Sequence, residues 1–546
     1  GSISEIIVSY SDSNVAGVIT GLSNEAITVT DTGSVSAADL NTVDGKTSGL
    51  VTADDVQTVT GTYLDIVAAY TANTNGTIAG LGNEAISVTD GHTITVAQAN
   101  ALDALTTGVV TAEISTNDID TLDSLTGTGN AYTISVTDPS VSAAKLNALD
   151  AKTTVSVDVS STTVTGTLTA ISTAFAAGGI TGLGSEAITV DSGTVTVAQV
   201  NTLAALTTGT LTATVSDGDM ATLAGITESG NALSVTVTDT SVAADALNAL
   251  NGKTTAAVNA TAVTTLTGAY SDINTAYTAN AAGSITGLGD EAVTTSDNTI
   301  TVAQANTLDA FTTGAVTATI SDNDIDALDT LTGTNNAYTI SVTDASVTAE
   351  KLNALDAETT IAVSVASTAV TGSVSAIKTA YSSSGITGLG NEAITVDSGT
   401  ITVADANDID ALTTGVVTAT ISNNDMGTLN SLTGTGNAYT VSVTDSSVSA
   451  ANLNSLDAKT TVPVAVTSTT VTGNGTDLLA AYGSAGLTGL GNEDIIYRND
   501  NGTPLSGTVG VINAVSALTT GIVTGTVADG DMATLAGITE TGNALS

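Results

Sequence analysis

The sequence predicts a mainly β protein, a right-handed parallel β-solenoid with a short helical turn in each coil. Three observations predict it. The opening Ile180-Thr-Gly-Leu-Gly-Ser-Glu186 recurs at Glu84, Glu291, Glu392 and Glu493, so the chain repeats about every 100 residues. Inside each repeat, apolar pairs three or four residues apart mark short helical faces: Leu203/Leu206, Leu223/Ile226, Leu247/Leu250, Ile273/Tyr277 and then Leu308/Phe311. Between them lie runs that alternate apolar and polar residues, as in Leu233-Ser-Val-Thr-Val-Thr-Asp239, the pattern of a strand with one buried and one wet face. A strand and a short helix every twenty to thirty residues fit coils that bury their apolar faces only against neighbouring coils.

Taken in order, the chain opens on Ile3-Ser-Glu-Ile-Ile-Val-Ser-Tyr10, which matches the fourth helix of a repeat at Tyr63 to Tyr70 and Tyr270 to Tyr277. Residues 1–18 read as a partial repeat, and 19–77 as a short unit in which Ile27-Thr-Val-Thr-Asp31 runs directly toward Ser36-Ala-Ala-Asp-Leu40. Two coils are missing there, a deletion that stacked coils tolerate and a closed sandwich does not. Full units span 78–179, 180–284, 285–385 and 386–486, and 487–546 is partial, so one continuous array is expected over 1–546. Ala533 to Ser546 repeats Ala221 to Ser234 with one substitution, and the sequence is expected to be a piece of a longer array. Within a unit, Ser142 is the expected N-cap of a helix whose Leu146 and Leu149 face inward. With about 25 residues per coil and strands about 4.8 Å apart, the array is expected to form a rod on the order of 100 Å long.

The competing arrangement is a string of Ig-like β-sandwiches of roughly 100 residues each, with antiparallel sheets. Composition favours thin coils. The apolar residues are Ala, Val, Ile and Leu, with 2% aromatics and no Trp. The formal charge of -46, set against eight lysines and arginines, excludes a phosphate-binding surface and hence nucleic acid as partner. Cysteine is absent, so no disulfide or thiolate site exists. No apolar run reaches the length of a membrane span, and no membrane insertion is expected.

Candidate chemistry is sparse. The acidic turns Asp217-Gly-Asp219, Asp322-Asn-Asp324 and Asp529-Gly-Asp531 have the spaced carboxylates that a hard cation such as calcium takes. The matching residues elsewhere are Thr116-Asn-Asp118 and Asn423-Asn-Asp425, and exchange among Thr, Asn and Asp is the substitution set of a helix N-cap. Both readings remain open at this point, with calcium the sole candidate cofactor. Lys46, Lys152, Lys253 and Lys459 occupy one position at which another copy has Glu358, which reads as a solvated helix end. The single histidine, His92, reads as a turn residue. Without a second histidine or a cysteine, no nucleophile, base and orienter can be assembled, which leaves only carboxylate chemistry and a carbohydrate-active reading. Such a site needs a feature found once, and Arg498 to Pro504, with the only arginine, is the segment that qualifies. Outward threonines at Thr194/Thr196, Thr212/Thr214 and Thr236/Thr238 suit an ice-binding array or simply an exposed strand face.

The phrases Ala246-Leu-Asn-Ala-Leu-Asn-Gly-Lys-Thr-Thr255, Thr261-Ala-Val-Thr-Thr-Leu-Thr-Gly268 and Ile285-Thr-Gly-Leu-Gly-Asp-Glu-Ala292 give the chain its likeness. It resembles the Thr/Asp/Gly-rich repeat regions of giant secreted and cell-surface proteins of marine cyanobacteria and related bacteria. That resemblance implies an extracellular, adhesin-like structural segment with roles in surface layers, motility or defence. Its expected partners are neighbouring repeats of the same chain, other surface proteins or polysaccharide. The calcium-binding nonapeptide Gly-Gly-x-Gly-x-Asp that many such proteins carry is absent here.

Overall fold

The short helices of this chain are eight to thirteen residues at most in the larger coils and four in the smallest, too short to persist alone in water. Each is held by an apolar stripe. In Val197–Ala204 the buried side chains are Val197, Val200 and Leu203, and the helix opens on a reciprocal cap between Thr196 and Gln199. In Ala143–Asp150, Leu146 and Leu149 are buried as the spacing predicts. Ser142 stands at the N-cap with extended backbone but makes no side-chain cap bond, whereas Ser36 and Thr348 do at the equivalent position. Leu206 and Ile226, the second members of two apolar pairs, fall just beyond their helices in the following turn.

The computed structural model describes residues 1–12, 19–89, 91–499 and 501–546. The boundary expected at residue 18 lies outside the described residues. So does Asp500, inside the Arg498 to Pro504 segment. The chain divides into two compact units, one of residues 1–263 with 275–288 and the other of residues 264–274 with 289–546.

Both units are built alike, as an α/β fold of parallel strands in several sheets, and the chain as a whole is 30% helical and 27% strand. The mainly β expectation is therefore corrected: three coils of each full repeat carry a helix of eight residues or more where a turn was expected, and the remaining coil keeps a single four-residue turn. The Ig-like alternative fails on strand direction. Every pairing between named strands is parallel, and the only antiparallel bridge among the described residues is Arg498 with Pro504. Parallel neighbours need a crossover, and here the helix of each coil supplies it.

In the first unit the register runs Val141, Val164, Ile188, Leu211, one residue per coil, all at most 1% exposed. The flanking Ser142, Thr165, Thr189 and Thr212 run beside them on the other face. In the second unit Val347, Val370, Ile394 and Val417 form the same column. Alternation in sequence thus becomes one apolar ladder facing the helices and one hydroxyl ladder facing out. The helix Ile3–Asp12 occupies the opening segment that matched the fourth helix of a repeat.

Candidate functional site

The paired acids divide their labour between two coils. Asp219 caps its own helix, Met220–Leu223, accepting from the N–H of Thr222 at 3.0 Å. Asp217, two residues earlier, accepts from the N–H of Val197 at 2.7 Å and so closes the start of the preceding coil's helix. Asp322 does the same for Val302 at 2.8 Å, and Asp529 for Val509 at 2.7 Å. Asp324 and Asp531 cap their own helices through Ala327 and Thr534.

Asn423 replaces the acid without loss of the bond, accepting from Val403 at 2.9 Å. A neutral amide at this point does the work of a carboxylate, which is the behaviour of a cap. The scheme extends to the third coil, where Asp239 and Asp445 reach back to the N–H groups of Met220 and Met426, both at 2.7 Å. Bonding lowers the carboxyls of Asp118 and Asp531 below their ordinary range, chiefly through the hydroxyls of Thr121 and Thr534, and that of Asp425 chiefly through the N–H of Thr428. Among the described residues no group of three or more His, Asp or Glu side chains gathers as a metal would require.

The structure brings together a second acidic feature that the sequence reading passed over. Glu84, Glu186, Glu291, Glu392 and Glu493, the last residue of each Gly-Leu-Gly-x-Glu opening, are buried, at 1–3% exposure. A buried carboxylate must find donors, and this one finds them in its own loop. The N–H groups of Gly390 and Asn391 donate to Glu392 at 2.7 and 3.2 Å, and Gly390 must take φ +135° to aim its N–H inward. The glycine pair, spaced as in a phosphate cradle, holds the protein's own carboxylate. Tyr381 adds its hydroxyl to Glu392 at 2.9 Å, and Tyr482 to Glu493 at 2.7 Å. Burial first, and the bonded carboxylate second, push both phenols above their ordinary range.

At Glu186 the equivalent residue is Phe175, and the carboxylate takes the Ser185 hydroxyl at 3.3 Å in addition to its backbone donors. The backbone carbonyl of Glu392 is bound from the next coil, Thr413 Oγ1 donating to it at 2.6 Å. Gly415 follows because a Cβ there would stand 2.2 Å from that carbonyl oxygen. The recurrent Leu-Thr-Thr-Gly phrase is thereby explained as the seam between two coils.

The remaining candidates are dispersed. His92 is exposed beside Thr62 and Tyr63. Arg498 and Pro504 are bridged and, with Gly502, Tyr497 and Thr526, line a recess. Thr194, Thr212, Thr214, Thr236 and Thr238 are exposed, but Thr196 is a helix cap and breaks the expected array. Lys253 and Lys459 donate to the carbonyls of Thr227 and Thr433, at 2.9 and 3.5 Å, so these helix ends are anchored as well as solvated. No helix among the described residues is long and apolar enough to cross a membrane. No family model matches the chain, and comparison with curated proteins finds no significant match.

Proposed function

We propose that the chain is a structural, non-catalytic repeat segment of a large extracellular or cell-surface protein, wound as a right-handed parallel β-solenoid and serving as stalk, sheath, filament or surface layer. One observation carries the reading: the side chains that look chemical are spent joining one coil to the next. Asp217 closes the helix before it, Thr413 binds the carbonyl of Glu392, and Asn437 accepts from Val417 while donating to Asp410. An active site needs polar groups left free for a substrate, in a pocket found once. The right-handed sense follows from the strong preference of parallel strand–crossover–strand connections for that hand.

The acid-rich surface fits a solvated exterior, and the absence of cysteine fits stabilisation by stacking. The partners proposed are neighbouring repeats of the same chain, with other surface proteins or polysaccharide on the exposed hydroxyl face. The test is antibody labelling of intact source cells, with mild protease shaving. Labelling before permeabilisation and loss of the epitope on shaving are expected, whereas labelling only after permeabilisation overturns the proposal.

A further inference from the structure

The third coil of the 285–385 repeat reverses the sign of the charge that its sisters carry at the helix end. Where other copies carry Lys152, Lys253 and Lys459, this one carries Glu358. The helix also changes: it runs Ala349–Glu358, ten residues, against eight in Ala143–Asp150, Ala244–Asn251 and Ala450–Asp457. In two sisters the ammonium group donates to a carbonyl of the preceding coil, a bond that a carboxylate cannot make. Oε2 of Glu358 is instead buried and has no hydrogen-bond partner. In the elements before it, Asn336 donates to Asp309 at 2.8 Å, and the fully buried Tyr338 donates its hydroxyl to the carbonyl of Ala305 at 3.5 Å. The ionisable groups acting on Glu358 from the neighbouring elements are Asp309, on the helix Val302–Asp309, and Tyr338, on the strand Ala337–Thr339. One is an acid that the Asn336 amide already bonds, and the other is a phenol that burial keeps neutral.

We propose that this coil is a pH-sensitive weak point of the array: an ionised Glu358 leaves a buried carboxylate oxygen with no donor at the helix end, which disfavours its seating on the coil beneath, and uptake of one proton from solvent seats it. Burial first, and the charge of Asp309 second, raise the Glu358 carboxyl above its ordinary range. The sign follows from linkage. A carboxyl raised on folding binds its proton more tightly in the folded coil, so the coil gains stability as pH falls through the folded value and loses it as pH rises. This is opposite to the capping acids Asp118, Asp425 and Asp531, whose carboxyls are lowered. The inference does not depend on the proposed function.

Hydrogen exchange on the full chain at about pH 4, below the ordinary carboxyl value of glutamate, and at about pH 7, above it, tests it, with the sister coils as internal standards. Residues 349–363 are expected to gain protection at the lower pH relative to residues 143–157 and 450–464, by up to about tenfold per pH unit, the bound for a single proton. Glu358→Lys, which restores the sister residue, and Glu358→Gln, which removes the charge at constant shape, are both expected to abolish that excess. An equal dependence in the sister coils overturns the proposal, as does an excess that survives in either variant.

Discussion

At the scale of the residue, the chain's recurring problem is where to put an anion without a cation. Glu392 meets it with two backbone N–H groups and one phenol. Removing the phenol alone, in Tyr381→Phe, leaves Glu392 its backbone donors, as Phe175 leaves Glu186, but without the hydroxyl that Ser185 adds there, so the coil should stay folded at reduced stability. The lost bond to a charged, buried acceptor is expected to cost about 2 kcal/mol, read as faster exchange of the amides around Gly390. Gly415→Ala is harsher, because its Cβ would press on the backbone of Glu392 at 2.2 and 2.5 Å, where no flexible side chain can yield. About 3 kcal/mol of local destabilisation is expected by the same measurement. The raised phenols of Tyr381 and Tyr482 add a pH limit. Unfolded tyrosines ionise near pH ~10 while the folded ones resist, so the unfolded state releases protons first and stability falls as pH climbs past that value. A circular-dichroism titration should find alkaline unfolding beginning there, with absorbance of tyrosinate appearing together with the loss of structure.

At the scale of the element, each helix begins on groups supplied from two coils. Asp425 caps Met426–Leu429 from within, and Asp445 closes the same helix start from the following coil. Asp445→Ala should cost about 1 kcal/mol and should loosen the helix before it in sequence more than the coil that carries it. Exchange resolved by coil checks this, and equal loosening of both would contradict cross-coil capping. Strand and helix positions were legible in the sequence because Val, Ile and Leu alternate or recur at helical spacing, and Leu146 with Leu149 faces inward as that spacing requires. The weight of helix was not legible, since an apolar pair such as Leu203/Leu206 fits a tight turn as well as a complete helix. The exchange of Thr, Asn and Asp pointed to the first residue of each pair as the cap and to Asp219 as an acid favoured by the helix dipole, whereas Asp219 itself caps Met220–Leu223. The reach of Asp217 to Val197 was not readable, because its partner lies 20 residues earlier and only the register of neighbouring coils brings the two together. The buried glutamates were hidden for a related reason: a Gly-x-Gly loop gives no sign in sequence of whether its N–H groups face a ligand or the chain's own side chain.

At the scale of the whole molecule, repetition of these seams makes coils exchangeable. Val157 pairs with Ile180 as Val258 pairs with Ile285, so excising residues 180–284 offers Val157 the same neighbour it had. The shortened chain should retain its helix and strand content per residue by circular dichroism, whereas collapse of the remaining signal would rule out additive stacking. Charge sets the opposing term. With 54 acids against eight basic residues, helix N-termini and backbone loops, more than lysines, receive the carboxylates, and the few ion pairs, such as Lys378 with Asp405 and Asp408, are half exposed and contribute little. The uncompensated charge of -46 must then repel itself over distances that salt controls, about 10 Å at 0.1 M ionic strength. Raising NaCl from about 10 mM to about 200 mM should raise the melting temperature by several degrees. Calcium and magnesium at matched ionic strength should act alike if the acids of the turns serve as caps, because screening does not distinguish the two ions. An excess for calcium that disappears in Asp217→Asn and Asp322→Asn would instead assign those turns to the metal, since the amide keeps the cap bond, as Asn423 shows, while surrendering the charge a hard cation needs.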